Sequence, residues 1–347
     1  MFYLTYRPHT LAEVDNVIVR DTLIHILKSK QIPHALLLVG PKGTGKTSTA
    51  RILAMSINCL NNAFSGKGES IEPCNSCTNC KSIENSSSPD VTEMDAASNR
   101  GIDEVRTLIH DASFSPIAGK YRVFIIDEAH MITNEAFNAL LKTLEEPPAS
   151  VVFILATTNE EKVPRTIISR CHKVVFGKAK IEDIIHMLKR IAKEEKIVLT
   201  EEILQLIARH ADDSFRDAAK LFEELHVQNK LDTIRAQEYL GIRAKGTLIT
   251  TLETQPLDKT LAWVALFSES GGSIKYLIED SLKELRRILL QSHNIPSEEP
   301  EIKTTLSPQR ITSLMRLLQE AYINLKYAPV ETIPLEIAVV EFYNKQK

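Results

Sequence analysis

One eight-residue stretch decides the fold that this sequence predicts: Gly40-Pro41-Lys42-Gly43-Thr44-Gly45-Lys46-Thr47. It follows an apolar run, Ala35–Val39, and precedes a helix-like segment, Thr47–Ile57. This order predicts a buried strand, a tight turn through glycines and a helix that begins at about Lys46. Consecutive backbone N–H groups at such a turn face one concavity and form an anion site for nucleotide phosphates. We expect Lys46 to reach the β- and γ-phosphates of ATP and the Thr47 hydroxyl to bind Mg²⁺.

A second apolar run ends in two carboxylates. Val123–Ile126 is apolar, and Asp127 and Glu128 follow it directly. A parallel strand is buried on both faces, and its C-terminal end lies where an α/β fold binds ligands. We therefore expect Asp127 to hold the Mg²⁺ shell and Glu128 to orient and polarise the attacking water. The alternative is a pair of solvated carboxylates at a strand end. The letters Asp-Glu-Ala-His at 127–130 also occur in one helicase class, which the rest of the chain does not support.

The composition is that of an ordinary globular protein. The chain has 347 residues, of which 43% are hydrophobic and 25% charged, and its net charge is −3. This length predicts two or three domains. The charge argues against a protein covered in positive charge, so any nucleic-acid contact is expected to be local. No apolar stretch approaches the ~20 residues that span a bilayer, and the first residues contain no apolar signal core. We expect a cytoplasmic protein without a membrane partner.

Four of the five cysteines cluster in the sequence. Cys59, Cys74, Cys77 and Cys80 have the spacing C-x14-C-x2-C-x2-C. In a reducing compartment this spacing is typical of a metal site, and four thiolates suit a closed, tetrahedral, structural Zn²⁺. An iron–sulfur cluster and unligated cysteines are the alternatives. Cys171 stands alone and is predicted to be a small core residue.

The rest of the first half alternates between strand and helix. Strands are predicted at Asp90–Asp95 and Val151–Asn159, and helices at Ile102–His110 and Asn134–Leu144. Alternating β and α segments predict an α/β fold with a mostly parallel sheet and helices on both faces. Because Thr157 and Thr158 end their strand at the same edge, either hydroxyl is a candidate to bind the γ-phosphate or the attacking water.

Several further stretches together closely resemble one family, the ATPase subunit (gamma/tau) of the bacterial DNA polymerase III clamp loader, in the AAA+ superfamily. The stretches that carry the resemblance, with the four cysteines, are Tyr6-Arg7-Pro8, His34–Thr47, Glu93–Asn99, Ala136–Pro148, Leu155–Thr158 and Ile167–Cys171. The combination of a zinc insert inside an AAA+ domain with Ser169-Arg170-Cys171 is specific to this group. A weaker resemblance continues to Leu335–Ala338.

The resemblance implies roles that spacing alone does not. Arg170 resembles an arginine finger that projects into the ATP site of a neighbouring subunit, and Thr157 resembles the first sensor. Arg216 resembles the second sensor. Ser214 and Asp217 form a variant capping box, which independently predicts that Arg216 lies in the first turn of a helix.

The resemblance also assigns the surroundings of the nucleotide. Tyr6, Arg7 and Pro8 resemble the segment that packs beside the adenine. The family usually has Gly-Gln where Asp15-Asn16 stands here, which leaves adenine selectivity through this segment open. Arg100 and Lys142 are candidate contacts for DNA phosphates.

The resemblance and the apolar spacing of the sequence together predict the domain organisation. Residues 1–178 form an AAA+ ATP-binding domain with a zinc insert at about 59–80, residues 179–242 a small helical lid, and residues 243–347 an all-α collar for oligomerisation. A separate helical bundle is the alternative for the last region. Apolar residues at helical spacing support the predicted helices of the lid and collar: Ile181–Glu195, Glu201–Ala211, Ser214–Asn229, Leu248–Glu253, Lys259–Ser268, Ile274–Ser292, Pro308–Lys326 and Pro334–Tyr343.

The function implied by the resemblance is ATP-driven loading of a sliding clamp onto primed DNA. The expected partners are delta-like and delta-prime-like subunits and further copies of this chain in a hetero-oligomeric ring, the clamp, and primer–template DNA contacted through its backbone. Because the sequence stops after the collar, we expect a short form without the helicase- and polymerase-binding tail of longer members. The alternatives are a non-hydrolysing delta-prime-like subunit and a DNA-translocating AAA+ motor.

Overall fold

The computed structural model describes residues 1–99, 101–240, 248–269, 272–293, 295 and 304–344. The chain divides into two compact units, Met1–Glu224 and Leu225–Lys347. Within the described residues, no helix has the length and apolar character needed to cross a membrane.

A five-stranded, fully parallel sheet organises the first unit. Its spatial order is β2-β3-β4-β1-β5. The strands are β1 (Ala35–Val39), β2 (Val91–Asp95), β3 (Arg122–Asp127), β4 (Val151–Thr157) and β5 (His172–Val175). The predicted parallel α/β sheet is therefore confirmed. The edge strand β5 was not predicted, because only Val174 of its four residues is buried and its sequence lacks a continuous apolar run.

Ten helices begin in the described part of the first unit. They are α1 (Phe2–Thr5), α2 (Val17–Ser29), α3 (Lys46–Asn58), α4 (Thr78–Glu84), α5 (Ile102–Ala112), α6 (Asn134–Glu145), α7 (Arg165–Ile168), α8 (Ile181–Glu194), α9 (Glu201–Arg209) and α10 (Phe215–Val227). Polar side chains set several of the starts. Asn16, Thr133 and Thr200 accept hydrogen bonds from the backbone N–H groups of Val19, Ala136 and Ile203, which satisfies donors that the first turn leaves unpaired.

The strands are continuously apolar because two cores cover the sheet. In β1, Leu36 and Leu38 point into one core, and Ala35 and Leu37 point into the other. Successive side chains of a strand alternate between faces, so both alternating sets must be apolar here. Helices α2, α3 and α4 contribute to the first core and α5 and α6 to the second. This arrangement leaves the C-terminal edge of the sheet as the place for polar residues.

The second unit is helical. Its described helices are α11 (Thr233–Tyr239), α12 (Leu248–Thr254), α13 (Leu257–Glu269), α14 (Ile274–Ser292), α15 (Pro308–Leu325) and α16 (Ile333–Asn344). Helices α12 to α16 share one apolar core, and the Tyr343 hydroxyl donates to the carbonyl of Gln255 at 2.6 Å. The predicted helices between 248 and 343 occur at the expected places. The division into domains at 178/179 and 242/243 stays a prediction.

A buried carboxylate fixes the loop that leads into β3. Asp90 is 2% exposed and accepts hydrogen bonds from the backbone N–H groups of Ile117, Ala118 and Gly119, each at 2.6 Å. The Asn58 side chain at the end of α3 accepts two more, from residues 120 and 121. Side chains from two neighbouring elements thus fix the start of β3. They thereby also affect where Asp127 lies at the other end of the strand.

Replacing Asp90 with alanine removes the acceptor for three backbone donors in a buried place. We expect Asp90→Ala to lower the free energy of unfolding by about 3 kcal/mol, because buried donors without partners are costly. The measurement is urea unfolding followed by circular dichroism. Asp103→Ala is the control: its carboxylate is 88% exposed and, among the described residues, forms an ion pair with Arg106, so its effect should stay within about 0.5 kcal/mol. Equal unfolding midpoints for the two variants would contradict the assigned role of Asp90.

Candidate nucleotide-binding site

The loop between β1 and α3 has the geometry of a phosphate-binding turn. Gly43 has φ +78° and Gly45, the residue before α3, has φ +93°, which are left-handed conformations that residues with a Cβ rarely adopt. A Cβ on Gly43 would lie 1.9 Å from Ser214 Oγ, so this position also lacks space for one. The turn therefore requires glycine for both conformation and packing.

Lys46 lies at the start of α3 with its ammonium against the loop. The side chain is buried, and Nζ donates to the carbonyls of Gly40 and Pro41, both at 2.8 Å. Burial lowers the pKa of Lys46, and the nearby carboxylates of Glu128 and Asp127 oppose that shift. The ammonium is thus held inside the loop, where a bound phosphate would meet it.

The second half of the site reaches the loop across the sheet. Thr47 Oγ1 donates to Asp127 Oδ2 at 2.5 Å, although the two residues are separated by 80 positions. The other carboxylate oxygen of Asp127 accepts the backbone N–H of Glu128 at 2.8 Å. A hydroxyl and a carboxylate oxygen side by side are the donor set that Mg²⁺ takes next to nucleotide phosphates. The two residues predicted to hold Mg²⁺ therefore lie in contact.

Glu128 is held in a strained conformation by neighbouring side chains. Its φ is +47°, unusual for a residue other than glycine. Thr158 Oγ1 donates to Glu128 Oε2 at 3.0 Å, and His130 Nδ1 lies 3.3 Å from the same oxygen. Thr157, at the end of β4, is fully buried, and its hydroxyl bonds to the backbone of Asn159 and contacts His130. The carboxylate predicted to activate water is thus contacted by Thr158, not by Thr157.

The start of α10 closes on the phosphate loop. The backbone N–H groups of Phe215 and Arg216 donate to the Gly43 carbonyl at 3.1 and 3.4 Å. The Ser214 hydroxyl accepts from Asp217 N at 3.2 Å, as the predicted capping box requires, while Ser214 N donates to the Ala211 carbonyl. Arg216 consequently lies in the first turn of α10, and its side chain lines the cavity over the loop.

These residues line one cavity of about 330 Å³. Its volume falls within the ~300–1,000 Å³ typical of ligand sites. The sequence-predicted residues in its lining are Tyr6, Arg7, Pro8, Lys42, Gly43, Thr44, Gly45, Lys46, Thr47, Asp127, Glu128 and Arg216. Gly40 and Pro41 lie just behind them and accept from Lys46.

Three guanidinium groups meet in this cavity. Burial lowers the pKa of Arg7, and the neighbouring guanidinium groups of Arg51 and Arg216 lower it further. The charge of Arg51 is balanced by Glu93, with bonds of 2.7 and 2.9 Å to its two oxygens. Cations close together repel one another unless an anion joins them. A bound anion, such as a nucleotide, would relieve the repulsion between Arg7 and Arg216.

Asp15 and Asn16, where the sequence departs from the family pattern, are both engaged. Asp15 accepts from Arg190 at 3.1 Å and contacts His186 at 3.1 Å, both on α8. Burial raises the pKa of Asp15, whereas Arg190 and His186 act in the opposite direction. Asn16 caps α2. Both residues line the cavity, but these contacts direct their side chains to the protein.

Arg170 lies elsewhere on the first unit. Its guanidinium donates to Glu145 Oε1 at 2.5 Å and to the Thr166 carbonyl at 2.7 Å. It is absent from the described lining of the nucleotide cavity. Lys142 is exposed on α6, and Arg100 lies outside the described residues. The structure thus brings together the predicted site residues of the loop, β3, α10 and the N-terminal segment, whereas Arg170 and Thr157 are absent from the described lining of the cavity.

The four clustered cysteines meet in space. The Sγ atoms of Cys59, Cys74, Cys77 and Cys80 all lie within 4.8 Å of one another. Backbone N–H groups point at the sulfurs, among them Cys74 N to Cys59 Sγ at 3.4 Å and Cys77 N to Cys74 Sγ at 3.3 Å. Burial raises the pKa of Cys74, but hydrogen bonds from Ser76 and Cys77 outweigh it and lower the pKa to about 5. A compact set of four thiols with donors around it fits a tetrahedral, thiolate-bound metal such as zinc.

Comparison with known proteins decides the family. DNA polymerase III subunit gamma of Buchnera aphidicola subsp. Schizaphis graminum is 34% identical over 90% of this chain and 88% of that protein. The chain belongs to the DNA polymerase III gamma/tau family. DNA polymerase III subunit tau of Bacillus subtilis is 34% identical over 98% of this chain and 62% of its own length. The chain thus spans less than two thirds of that gamma/tau relative.

Two other comparisons match parts of this gamma/tau family member. The family model described as DNA polymerase III, delta subunit, matches residues 16–180. A RuvB variant from Thermotoga maritima has a TM-score of 0.51 at 17% identity, over 81% of this chain and 92% of that chain. At this identity the likeness shows the fold alone, and the fold agrees with the predicted parallel α/β sheet followed by helices.

The sequence did not predict several residues that surround the nucleotide cavity of this gamma/tau family member. Arg51 carried a usable signal, because it follows Thr47 by one helical turn and therefore lies on the same face of α3. Thr158 and Thr157 have the same sequence signal, and which hydroxyl reaches Glu128 depends on the backbone after β4. Arg190 had no local signal, since its partner Asp15 lies far away in the chain.

The contact between Gly43 and Ser214 can be tested with a matched pair of variants. Gly43→Ala should lower the free energy of unfolding by about 2–4 kcal/mol and weaken nucleotide binding about tenfold or more, because a Cβ there displaces the start of α10 from the loop. Gly66 has a similar φ of +74° but nothing within 4 Å of a Cβ, so Gly66→Ala should show only backbone strain of about 1 kcal/mol. The measurements are urea unfolding and titration with a fluorescent nucleotide. Equal effects of the two variants would refute the packing argument.

Proposed function

We propose that this chain is an ATP-hydrolysing subunit of a DNA polymerase III clamp loader and acts in the cytoplasm. It assembles with delta-like and delta-prime-like subunits and further copies of itself into a ring that opens a sliding clamp and places it on primer–template DNA. The observation that carries the proposal is the contact of Thr47 with Asp127 beside Lys46 and Glu128, in a chain that matches a gamma subunit over nearly its whole length.

Each residue of the site has a role in this proposal. Backbone N–H groups of residues 42–47 and the Lys46 ammonium bind the phosphates of ATP, and Lys46 exchanges its bonds to the loop carbonyls for the substrate. Thr47 and Asp127 would hold Mg²⁺, which neutralises charge on the phosphates when bound. Glu128 orients the attacking water and accepts its proton.

Glu128 must leave its present partner to act as a base. Its Oε2 atom accepts from Thr158 at 3.0 Å, so this oxygen is engaged with the protein. Release of this bond when ATP and the neighbouring subunit are in place would activate hydrolysis only in the assembled ring. Arg216, at the start of α10, would contact the γ-phosphate in the same cavity. The Thr157 hydroxyl contacts His130, which in turn lies against Glu128.

The position of Arg170 supports hydrolysis at a shared site. Its guanidinium is held by the carboxylate of Glu145, the last residue of α6, and by the carbonyl of Thr166 in the four-residue helix α7. Neither residue belongs to the described lining of the nucleotide cavity. Arg170 thus lies at the surface, outside the nucleotide cavity of its own chain, where it can contact the nucleotide bound by a neighbouring subunit.

The two alternative functions fit less well. A non-hydrolysing delta-prime-like subunit does not require Lys46, Thr47 and Glu128 in one cavity, yet all three line it here. A DNA-translocating motor is favoured only by the likeness to RuvB, which at 17% identity concerns the fold alone.

The decisive experiment measures ATP hydrolysis by the chain assembled with its partner subunits, sliding clamp and primed DNA. Arg170→Ala should bind ATP like wild type and lose about 10³-fold in the stimulated kcat, because an arginine finger stabilises charge in the transition state. Arg165→Ala, an exposed arginine on the same helix segment, is the control and should leave kcat unchanged.

Two outcomes would count against the proposal. If the isolated chain hydrolyses ATP at full rate and Arg170→Ala changes nothing, the shared-site mechanism is wrong and a self-contained motor becomes the better description. If the wild-type chain binds no ATP, the delta-prime-like alternative replaces the ATPase.

We propose further that the four-cysteine cluster holds a structural zinc ion. Cys77→Ser should abolish tight zinc binding and lower the Tm by roughly 5 °C or more, because metal binding stabilises a polar insert that has little core of its own. Metal content is measured by inductively coupled plasma mass spectrometry, and Tm by calorimetry. Cys171→Ser is the control: burial raises the pKa of that thiol to about 11, and it lies outside the cluster. Purified protein that contains iron with visible absorption, or no metal at all, would exclude zinc.

A further inference from the structure

The four-cysteine insert contacts the N-terminal segment through one carboxylate. Glu72 lies two residues before Cys74. Its Oε2 accepts the backbone N–H of Leu11 at 2.7 Å, and its Oε1 accepts that of Ala12 at 3.1 Å. Both oxygens of an ionised group thus hold two successive amides of a distant segment. Hydrogen bonds to charged groups are about twice as strong as neutral ones, so this contact ties the two regions together firmly.

The position of Glu72 is itself fixed by the insert. The buried side chain of Asn62 donates from Nδ2 to the carbonyl of Glu72 at 3.3 Å and to that of Ser56, at the end of α3, at 2.7 Å. Ala63 N donates to the Ser70 carbonyl at 2.8 Å. The insert is therefore tied to α3 on one side, and it presents Glu72 to the N-terminal segment on the other.

A second contact between the same regions is weaker. His9 Nδ1 lies 3.2 Å from Glu84 Oε1, at the end of α4, but both side chains are about 40% exposed. Exposed ion pairs contribute little to stability. Glu72 is thus the residue on which the coupling depends.

The segment held by Glu72 forms a wall of the nucleotide cavity. Leu11 is fully buried, and its carbonyl accepts from Val14 N at 3.0 Å, which closes a turn directly after the two held amides. The residues on both sides of this turn, 6–8 and 14–16, line the cavity. A displacement of the turn therefore moves both stretches of the wall.

This wall is separate from the part of the cavity that holds phosphates. The loop at 40–47 is positioned by its own contacts, from Lys46 to the Gly40 carbonyl and from the start of α10 to the Gly43 carbonyl. If phosphates occupy that loop, the nucleoside is left to the wall formed by the N-terminal segment. A change at Glu72 should then act on the nucleoside and not on the phosphates.

We propose that Glu72 is a positioning residue for the nucleoside-binding wall, so that the four-cysteine insert sets the affinity of the cavity for its nucleotide. The inference rests on the proposed function only in that the cavity binds a nucleoside phosphate. It gives the insert a role in ligand binding although none of its residues lines the described cavity.

The test compares binding of ADP with binding of inorganic tripolyphosphate, both measured by displacement of a fluorescent nucleotide from the full chain. Glu72→Ala should raise the Kd for ADP about tenfold, a loss matching one charged hydrogen bond, and leave the Kd for tripolyphosphate unchanged. Glu72→Gln retains one acceptor oxygen and should show a smaller change. Glu69→Ala, an exposed glutamate of the same insert, is the control for charge and should match wild type.

Measuring ADP affinity after removal of the metal provides a second, independent test. Because the cysteine cluster shapes the segment that carries Glu72, chelation should raise the Kd for ADP in wild type and add little in Glu72→Ala. Metal content and the circular dichroism spectrum of each variant show whether it is folded and loaded.

The outcomes separate this inference from the proposed function. Folded, metal-loaded Glu72→Ala that binds ADP like wild type overturns the inference and leaves nucleotide binding intact. A parallel loss of ADP and tripolyphosphate binding also overturns it, since the effect would then be general. Failure of the wild-type chain to bind any nucleotide removes the proposed function and this inference with it.

Discussion

The hydrogen bond between Thr47 and Asp127 depends on the parallel register of three strands. Val39 pairs with Thr157, and Ile126 pairs with Leu155, so β1, β4 and β3 end at one edge. A shift of one residue in any pair would turn the Asp127 carboxylate to the opposite face, because side chains alternate along a strand. The two apolar cores prevent such a shift, since it would place buried side chains on the wrong face. The geometry at the edge is thus a consequence of packing below it.

The cavity above this edge is closed by two segments that hold each other. The backbone N–H of Phe2 donates to Glu223 Oε2 at 3.0 Å, and the Phe2 ring packs edge-on against Phe222 with centroids 5.3 Å apart. The N-terminal segment and α10 therefore form a joined wall. The same helix donates to the Gly43 carbonyl, so α10 borders both the phosphate loop and the N-terminal segment.

Arg170 and the cations of the cavity show two different ways of holding positive charge. In the cavity, Arg7 and Arg216 lie near one another and near Arg51, an arrangement that an anion stabilises. Arg170 is instead paired with the Glu145 carboxylate and the Thr166 carbonyl, outside the described lining of that cavity.

The sequence by itself determined the elements and most of the chemistry of the site. Apolar runs predicted β1, β3 and β4, glycines predicted the phosphate turn, and cysteine spacing predicted the cluster, because each depends on neighbours within a few residues. Tertiary structure decided what depends on distant residues. It placed Thr158 on Glu128 and Arg190 on Asp15, and it placed Glu72 on the N-terminal segment. It also showed the edge strand β5, whose polar sequence becomes a strand only because β1 offers it unpaired backbone groups. Local sequence sets backbone preference and periodicity, whereas partners far apart in the chain are chosen only when the sheet and its two cores assemble.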